Sequence, residues 1–383
     1  MSETSSRKPD TAPEFTFGPS AQATAGTLGT PPAAAHVDTK VSEVRQFLLA
    51  RGNSSLADRS FGGLMLVCAL SIFAIVALIA VELIIRSQMS WHKFGISFFY
   101  KFNIDPDTHL PVFWDPVNGI FYALPFVYGT LVTSLVALVI AVPLALGVAI
   151  FLTEMCPAFL RGPLAFMTEL LAAIPSVVYG LWAVFVLVPL LRVNINPFFI
   201  AIFNNSTVVK IFGWTGLVGP TGLFGGDNYG LGILAAGVIL AVMILPIISS
   251  LTREVMNAVP HSQREAVLAL GATRWEMIRM GVLRNARIGI VGSIILGLGR
   301  ALGETMAVAM VIGSRPDISR SLLSLGNTMA SVIANEFSEA SDDLYLSALI
   351  EIGLALFIVT IIVNALARVL VWAVTRGTPA RVS

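Results

Sequence analysis

Long apolar stretches, separated by polar segments, dominate the hydropathy pattern of this chain. Each is long enough to cross a membrane, because about 20 residues of α-helix, at 1.5 Å per residue, span a ~30 Å hydrocarbon core. The pattern therefore predicts an all-α membrane protein with six transmembrane helices. We place these helices at residues 61–85, 122–152, 163–191, 231–251, 288–313 and 345–373.

The composition supports this fold class. Of the 383 residues, 56% are hydrophobic and only 12% are charged, whereas about 25% of residues are charged in a typical soluble domain. The net charge of +1 gives no basic face for nucleic acid, so we expect no nucleic-acid partner. The two cysteines, Cys68 and Cys156, are too few for a disulfide framework.

The sequence shows no pattern typical of a catalytic, metal or nucleotide site. It contains no GxxxxGK[ST] sequence that would hold ATP phosphates. The histidines do not follow the spacing of metal ligands. We therefore predict that this chain is not an enzyme and itself binds neither a metal nor a cofactor.

Composition and charge divide the chain into four segments. Residues 1–58 form a tail that begins rich in Ser, Thr, Ala, Pro and Gly, a composition typical of disorder. Residues 59–121 hold the first membrane helix and an extracytoplasmic loop, 122–376 form the permease-like core, and 377–383 form a second tail. Lys and Arg are more frequent in the loops on the side of both termini, so we expect both termini to be cytoplasmic.

A charged segment, 252–287, interrupts the apolar stretches and is too long for a tight turn. Ser262 with Glu265, and Thr273 with Glu276, have the spacing of helix capping boxes. We predict two short amphipathic helices on the cytoplasmic side. Such a hairpin either docks on a partner protein or lies on the membrane surface.

Two charged residues, Arg300 and Glu304, lie inside the fifth apolar stretch. A charge near the membrane midplane costs at least ~2.5–3.5 kcal/mol, so it must face a cavity or a partner. The i, i+4 spacing puts both side chains on one face of a continuous helix, although Arg before Glu is the less favourable order. One hypothesis is a polar lining where the guanidinium meets an anion. The alternative is a buried ion pair that packs helices or subunits.

Other polar residues in the apolar stretches are weaker candidates. Glu169 and Tyr179, on either side of Pro175, could border a path, although we expect Tyr179 to be packed. Glu82 and Glu351 lie near helix ends, where we expect solvent to reach them.

The charged segment resembles a known loop. Glu265, Ala266 and Val267, followed after three residues by Gly271, resemble the EAA loop of the permease subunits of ABC importers. Two departures are Val267 in place of the second Ala and Arg284 in place of the final Pro. In that family the loop is the coupling helix that sits in a cleft of the ATPase. The resemblance thus implies that Glu265, Ala266 and Gly271 contact an ATPase.

Two further segments, 297–308 and 174–192, resemble the PstC family of phosphate-importer permeases, and the resemblance covers roughly 60–375. It implies type I importer architecture in the bacterial inner membrane, with Arg300 and Glu304 important for transport. It also implies a PstA-like second permease subunit, two copies of a PstB-like ATPase that uses ATP and Mg, and a PstS-like phosphate-binding protein.

Three other functions stay open at this stage. An importer for sulfate or molybdate would handle a similar anion. A secondary transporter would use Glu304 as a proton site and need no ATPase. A structural or signalling membrane subunit would move nothing.

Overall fold

The computed structural model describes residues 54–104, 109, 111–205, 208–210 and 213–375. The predicted tail 1–58, up to residue 53, and the predicted tail 377–383 lie outside the described residues.

The chain divides into two compact units, Met1–Phe73 and Ala74–Ser383. In the first unit, the described residues belong to the start of a long helix, Ser54–Arg86. The side chains described there, from 58 to 73, are all exposed. An apolar helix with so little buried surface needs lipid around it.

Helices account for most of the described residues. In chain order the α-helices are α1 (Ser54–Arg86), α2 (Gln88–Phe94), α3 (Leu124–Ile150), α4 (Ala158–Ala173), α5 (Ser176–Trp182), α6 (Val188–Leu190), α7 (Asn196–Phe203), α8 (Ile233–Asn257), α9 (His261–Ala269), α10 (Arg274–Glu276), α11 (Arg284–Leu302), α12 (Met306–Ile312), α13 (Met329–Glu336) and α14 (Asp343–Thr375). Short π-helical segments are Phe151–Met155, Ala183–Leu187, Leu191–Ile195 and Met277–Leu283, and 3-10 turns are Gly95–Phe99 and Gly213–Thr215.

Two small antiparallel hairpins lie between α2 and α3. Their strands are β1 (Asn103–Ile104), β2 (Pro111–Val112), β3 (Trp114–Asp115) and β4 (Ile120–Phe121). Asn103 pairs with Val112, and Trp114 pairs with Phe121.

The predicted number of six membrane helices is confirmed within the described residues. Helical runs long and apolar enough to cross a membrane are Asp58–Arg86, Leu124–Met155, Ser176–Phe203, Ile233–Asn257, Arg274–Leu302 and Asp343–Val369. The third and the fifth differ clearly from the predicted bounds.

The third predicted span, 163–191, is wrong because the helix breaks at Pro175. Ile174 and Pro175 are extended, with ψ of 131° and 141°, so α4 ends before them and α5 begins after them. Proline lacks the N–H of a helical hydrogen bond and disfavours a helical conformation in the residue before it. Tyr179 is buried, as expected, and its hydroxyl donates to the Leu171 carbonyl across the break at 2.7 Å.

Helix α8 is the centre of the core in the second unit, since α3, α4, α5, α11 and α12 all pack against it. The face of α3 toward this core carries Ala137, Ala141 and Ala145, each fully buried and spaced by one helical turn. Small side chains let the backbones approach closely, as is common between membrane helices. This packing fixes the position of α11, which carries Arg300.

An aromatic cluster of Trp114, Phe121, Phe126 and Tyr345 packs near the start of α14. Trp114 Nε1 and the Tyr345 hydroxyl both donate to Oε2 of Glu336, at 2.6 Å and 2.7 Å. Burial raises the pKa of the Glu336 carboxyl, and these two hydrogen bonds only partly oppose that rise.

Glu351 is buried, so the expectation that solvent reaches it is wrong. The residue is 1% exposed, and the hydroxyl of Ser90 on α2 lies beside its carboxylate. The helix α14 extends well beyond Glu351, and α2 packs against it. That covering element, rather than distance from the helix end, decides the burial.

Candidate functional site

The fifth membrane helix ends before Glu304, which overturns the predicted continuous helix over 288–313. Helix α11 stops at Leu302, residues 303–305 are not helical, and α12 begins at Met306. No ion pair joins Arg300 to Glu304 in the described structure. Instead, Oε1 of Glu304 accepts a hydrogen bond from the backbone N–H of Ala307 at 3.4 Å.

This break has a simple physical cause. Gly303 is a weak helix former, and the first N–H groups of α12 need acceptors that no helical carbonyl supplies. A carboxylate that precedes the helix by two residues meets that need. Pairing with an arginine placed four residues earlier would have stabilised a continuous helix only weakly.

Arg300 is exposed at the last turn of α11, and its guanidinium makes no hydrogen bond or ion pair with any described residue. It lines an open cleft of about 1060 Å³ between α11 and α14. Arg300 belongs to the membrane-crossing helical run Arg274–Leu302. Because a charge on such a helix is unfavourable in lipid, the cleft must hold water or face a partner protein.

The opposite wall of the cleft carries three polar side chains on α14: Thr360, Asn364 and Arg368. They are spaced by four residues, so they form one stripe along the helix. Among the described residues that line the cleft, the charged ones are Arg300 and Arg368. Apart from Thr360 and Asn364, the others are apolar or glycine. Sequence reasoning missed this wall, because α14 is apolar overall and Arg368 lies near its end, where a basic residue is common. The four-residue spacing was the available signal.

Two glycines of α11 set the geometry around Arg300. A Cβ on Gly297 would lie 2.7 Å from Cγ1 of Ile248 in α8, so only glycine allows the observed approach. A Cβ on Gly299 would lie 4.0 Å from Nδ2 of Asn364. Gly297 therefore lets α11 pack closely against α8. Gly299 lets the amide of Asn364 lie beside the backbone next to Arg300.

The predicted coupling segment is shorter than 252–287, because α8 continues to Asn257 and α10 begins at Arg274. Residues 258–273 form the turn, which contains α9. The predicted capping box of Ser262 and Glu265 is wrong: α9 begins at His261, directly after Pro260, with no side-chain cap.

The second predicted capping box, of Thr273 and Glu276, is confirmed. However, α10 continues through Met277–Leu283 into α11, so the second short helix is the start of the fifth membrane helix.

The three predicted coupling residues, Glu265, Ala266 and Gly271, are all exposed. Gly271 has a φ of 82°, which L side chains rarely adopt, and it ends the turn after α9. Leu270 beside it is 88% exposed, and Trp275 is 60% exposed. We call Glu265, Ala266, Leu270, Gly271 and Trp275 the exposed turn face.

A buried arginine holds this turn against the membrane helices. Arg264 donates to Oε1 of Glu154 from Nε at 3.2 Å and from Nη2 at 3.1 Å. It also donates to the carbonyls of Val259, at 2.6 Å, and Met256, at 2.9 Å. The side chains of Arg264 and Glu154 are 10% and 8% exposed. Sequence reasoning missed both residues, and no local signal pairs them.

Comparison with known proteins identifies the family. Residues 141–376 match the family model described as binding-protein-dependent transport system inner membrane component. The chain belongs to this family. It is therefore a membrane component of a binding-protein-dependent transport system and a multi-pass inner membrane protein, as the sequence predicted.

Two relatives of this chain are named phosphate transport permeases. A protein of Mesorhizobium japonicum named phosphate transport system permease protein PstC is 41% identical over 326 residues, which cover 85% of this chain and 93% of that protein. A Haemophilus influenzae protein of the same name is 43% identical over 303 residues, or 79% of this chain and 89% of that protein. The predicted resemblance to this permease family is confirmed.

A solved structure supports the fold. A bacterial ABC transporter involved in the import of alginate aligns with 85% of this chain and 100% of its own, at 13% identity and a TM-score of 0.50. The predicted type I importer permease fold is confirmed.

Proposed function

We propose that this chain, together with a second permease subunit, forms the transmembrane path of an ATP-driven importer of inorganic phosphate. Its relatives of 41% and 43% identity are named phosphate transport permeases. The chain acts as a transporter subunit, and ATP and Mg are used by a separate ATPase.

One observation carries the choice of an anion. The guanidinium of Arg300 is exposed in a membrane cleft and has no partner among the described residues. Its planar fork of donors suits a tetrahedral oxyanion. A cation would be repelled here, since the charged residues that line the cleft are arginines. Glu304 lies two residues beyond the end of α11 and borders the path without forming an ion pair with Arg300.

The partners follow from family architecture. A PstA-like permease covers the cleft, two PstB-like ATPases bind on the side of the exposed turn face, and a PstS-like protein delivers phosphate on the opposite side. Both termini then lie in the cytoplasm. Glu265, Ala266 and Gly271 contact the ATPase. Nucleotide binding and hydrolysis by the ATPase shift the transporter between its conformations. The transported ion alone can shift the equilibrium between these conformations only by its preference for one of them.

Uptake of radiolabelled phosphate tests this function most simply. Source cells grown at low phosphate are compared with cells in which the chain is deleted and then restored, with sulfate and molybdate as competitors. We expect uptake to disappear on deletion, return on restoration and resist both competitors. The test is made in a strain that lacks other phosphate uptake systems.

The alternative outcomes separate the other functions. Phosphate uptake that is unchanged by deletion would contradict the proposal, and inhibition by sulfate or molybdate would indicate a different oxyanion. Uptake that survives loss of the ATPase but collapses with the proton gradient would indicate a secondary transporter.

A further inference from the structure

The wall of the cleft opposite Arg300 provides a second set of hydrogen-bond donors. Thr360, Asn364 and Arg368 form one stripe on α14, and all three line the same 1060 Å³ cleft as Arg300. Resting on the function proposed above, we propose that Asn364 and Arg368 form a second contact site for a phosphate group. Along the cleft, this site lies closer than Arg300 does to the C-terminal end of α14.

The chemistry of the two side chains matches an oxyanion. Asn364 is partly buried, and Arg368 is exposed; neither has a hydrogen-bond partner among the described residues. Arg368 offers a charged fork and Asn364 an amide N–H, and both donor types bind phosphate oxygens. A carboxylate, which would compete for these donors, does not occur among the described residues that line the cleft.

The spacing suggests a route along the cleft. The Asn364 amide lies beside Gly299, which precedes Arg300 in sequence. Arg368 lies four residues further along α14, about 6 Å along the helix axis. Helices α11 and α14 pack together here with apolar walls, and low-dielectric walls strengthen the field of both guanidinium groups. An anion released by Arg300 would therefore meet Asn364 and then Arg368.

A phosphate group can reach this site from two sources. One is the transported inorganic phosphate, and the other is the headgroup of an anionic lipid, since long basic side chains near helix ends extend to the membrane interface. The geometry favours transported phosphate, because Asn364 lies beside Gly299, next to Arg300, and a headgroup bound by Arg368 near the helix end would leave the Asn364 donor unexplained.

The test uses the complete transporter, with its second permease, ATPase and binding protein, reconstituted into vesicles of phosphatidylcholine with or without phosphatidylglycerol. The variants are Arg368→Gln, Arg368→Lys and Asn364→Ala. The control is Arg59→Gln, which removes an exposed arginine from the first membrane helix. Uptake of radiolabelled inorganic phosphate and copurification of the ATPase are measured for each.

We expect Arg368→Gln to lower the maximal rate of uptake by about tenfold or more, the usual size of a lost charge-assisted contact. The phosphate concentration for half-maximal uptake should not change, because the binding protein sets it. Arg368→Lys and Asn364→Ala should have smaller effects in the same direction. The loss should be equal in both lipid mixtures, with the ATPase still attached.

Three results would overturn the proposal. In the first, Arg368→Gln transports as fast as Arg59→Gln. In the second, Arg368→Gln loses uptake only when phosphatidylglycerol is present, which would assign the site to a lipid headgroup. In the third, Arg368→Gln fails to assemble, and both Arg368→Lys and Asn364→Ala transport at normal rates. Failure of the unmodified complex to move phosphate would instead reject the proposed function.

Discussion

Two arginines of this chain, Arg264 and Arg300, have opposite surroundings. Arg264 is buried and donates to the Glu154 carboxylate and two backbone carbonyls. Arg300 is exposed in a membrane cleft and has no hydrogen-bond partner among the described residues. A guanidinium whose donors are mostly bound to buried acceptors holds structure, whereas one with no bound donor is available for a ligand that comes and goes. Under the proposed function, Arg264 belongs to the turn that contacts the ATPase, and Arg300 belongs to the transport path.

The largest effect should follow from removing the anchored arginine. Arg264→Met leaves the Glu154 carboxylate and two carbonyls buried without their donor, which should cost about 3–5 kcal/mol of stability. Thermal unfolding of the purified complex measures the loss. The control is Arg253→Met, because Arg253 pairs at 2.6 Å with Glu169, whose side chain is 56% exposed; that loss should be about 1 kcal/mol or less. Equal losses in the two variants would contradict the anchoring role.

The exposed turn face should show the opposite behaviour, with a loss of partner binding but not of fold. Leu270 is 88% exposed, so Leu270→Asp should change stability by no more than about 0.5 kcal/mol. If the ATPase buries the Leu270 side chain, Leu270→Asp should lower the affinity of the ATPase for the membrane subunits by about tenfold or more. Copurification of the ATPase at limiting concentration measures this.

A matched substitution at the other end of the molecule controls for added surface charge. Leu217 is 50% exposed in the segment between α7 and α8, and Leu217→Asp should leave ATPase binding unchanged. An unaltered ATPase affinity in Leu270→Asp would mean that this face does not dock.

Two buried carboxylates, Glu154 and Glu351, extend the comparison. Replacing each with Met should change the stability of the complex in opposite directions. Glu154→Met removes the partner of Arg264 and should destabilise the complex. Glu351→Met removes a buried carboxylate that has no ion-pair partner in the described structure and has the Ser90 hydroxyl beside it, and should stabilise the complex by about 1 kcal/mol. Thermal unfolding of both variants measures the difference. A loss of stability in Glu351→Met would imply a hydrogen bond on which the fold depends.

The smallest effect concerns pH. Burial raises the pKa of Glu336, so the folded protein holds the proton more tightly than the unfolded chain does. The resulting stabilisation is complete below the ordinary pKa of Glu, about 4.3, and is lost as the pH rises through the raised value. The stability of the unmodified complex relative to Glu336→Gln should therefore decline with rising pH across this window.

Thermal unfolding across that pH range measures the decline. Asp342→Asn, which removes an exposed carboxylate six residues further on, controls for the loss of a surface charge. A stability difference between the unmodified complex and Glu336→Gln that stays constant or grows with pH would contradict the assigned cause.

Much of the fold could be predicted from sequence, because a membrane span depends on a local property, a long apolar run. The helix breaks at Pro175 and Gly303 were harder, since each competes with an apolar pattern that continues past it. Arg300 was found because a charge inside an apolar run is conspicuous. The alternative of an ion pair between Arg300 and Glu304 is not observed, because the Glu304 carboxylate accepts a hydrogen bond from the backbone of α12. The place of Glu304 in the transport path stays a prediction.

The missed residues depend on contacts that are distant in sequence. Arg264 and Glu154 are separated by 110 positions, and no sequence pattern near either residue predicts their contact. Asn364 and Arg368 become meaningful only when α14 is seen to form the second wall of the cleft. Burial of Glu351 likewise depends on α2, which precedes it by more than two hundred residues.

The most direct test of the central claim is phosphate uptake by Arg300→Gln, measured beside the thermal stability of the same purified complex. The account predicts that uptake falls by at least about tenfold, as expected for a lost charge-assisted contact. Stability and ATPase attachment should not change, because the guanidinium holds no described residue in place. Normal uptake by a fully assembled Arg300→Gln complex would contradict the claim that this arginine lines the path.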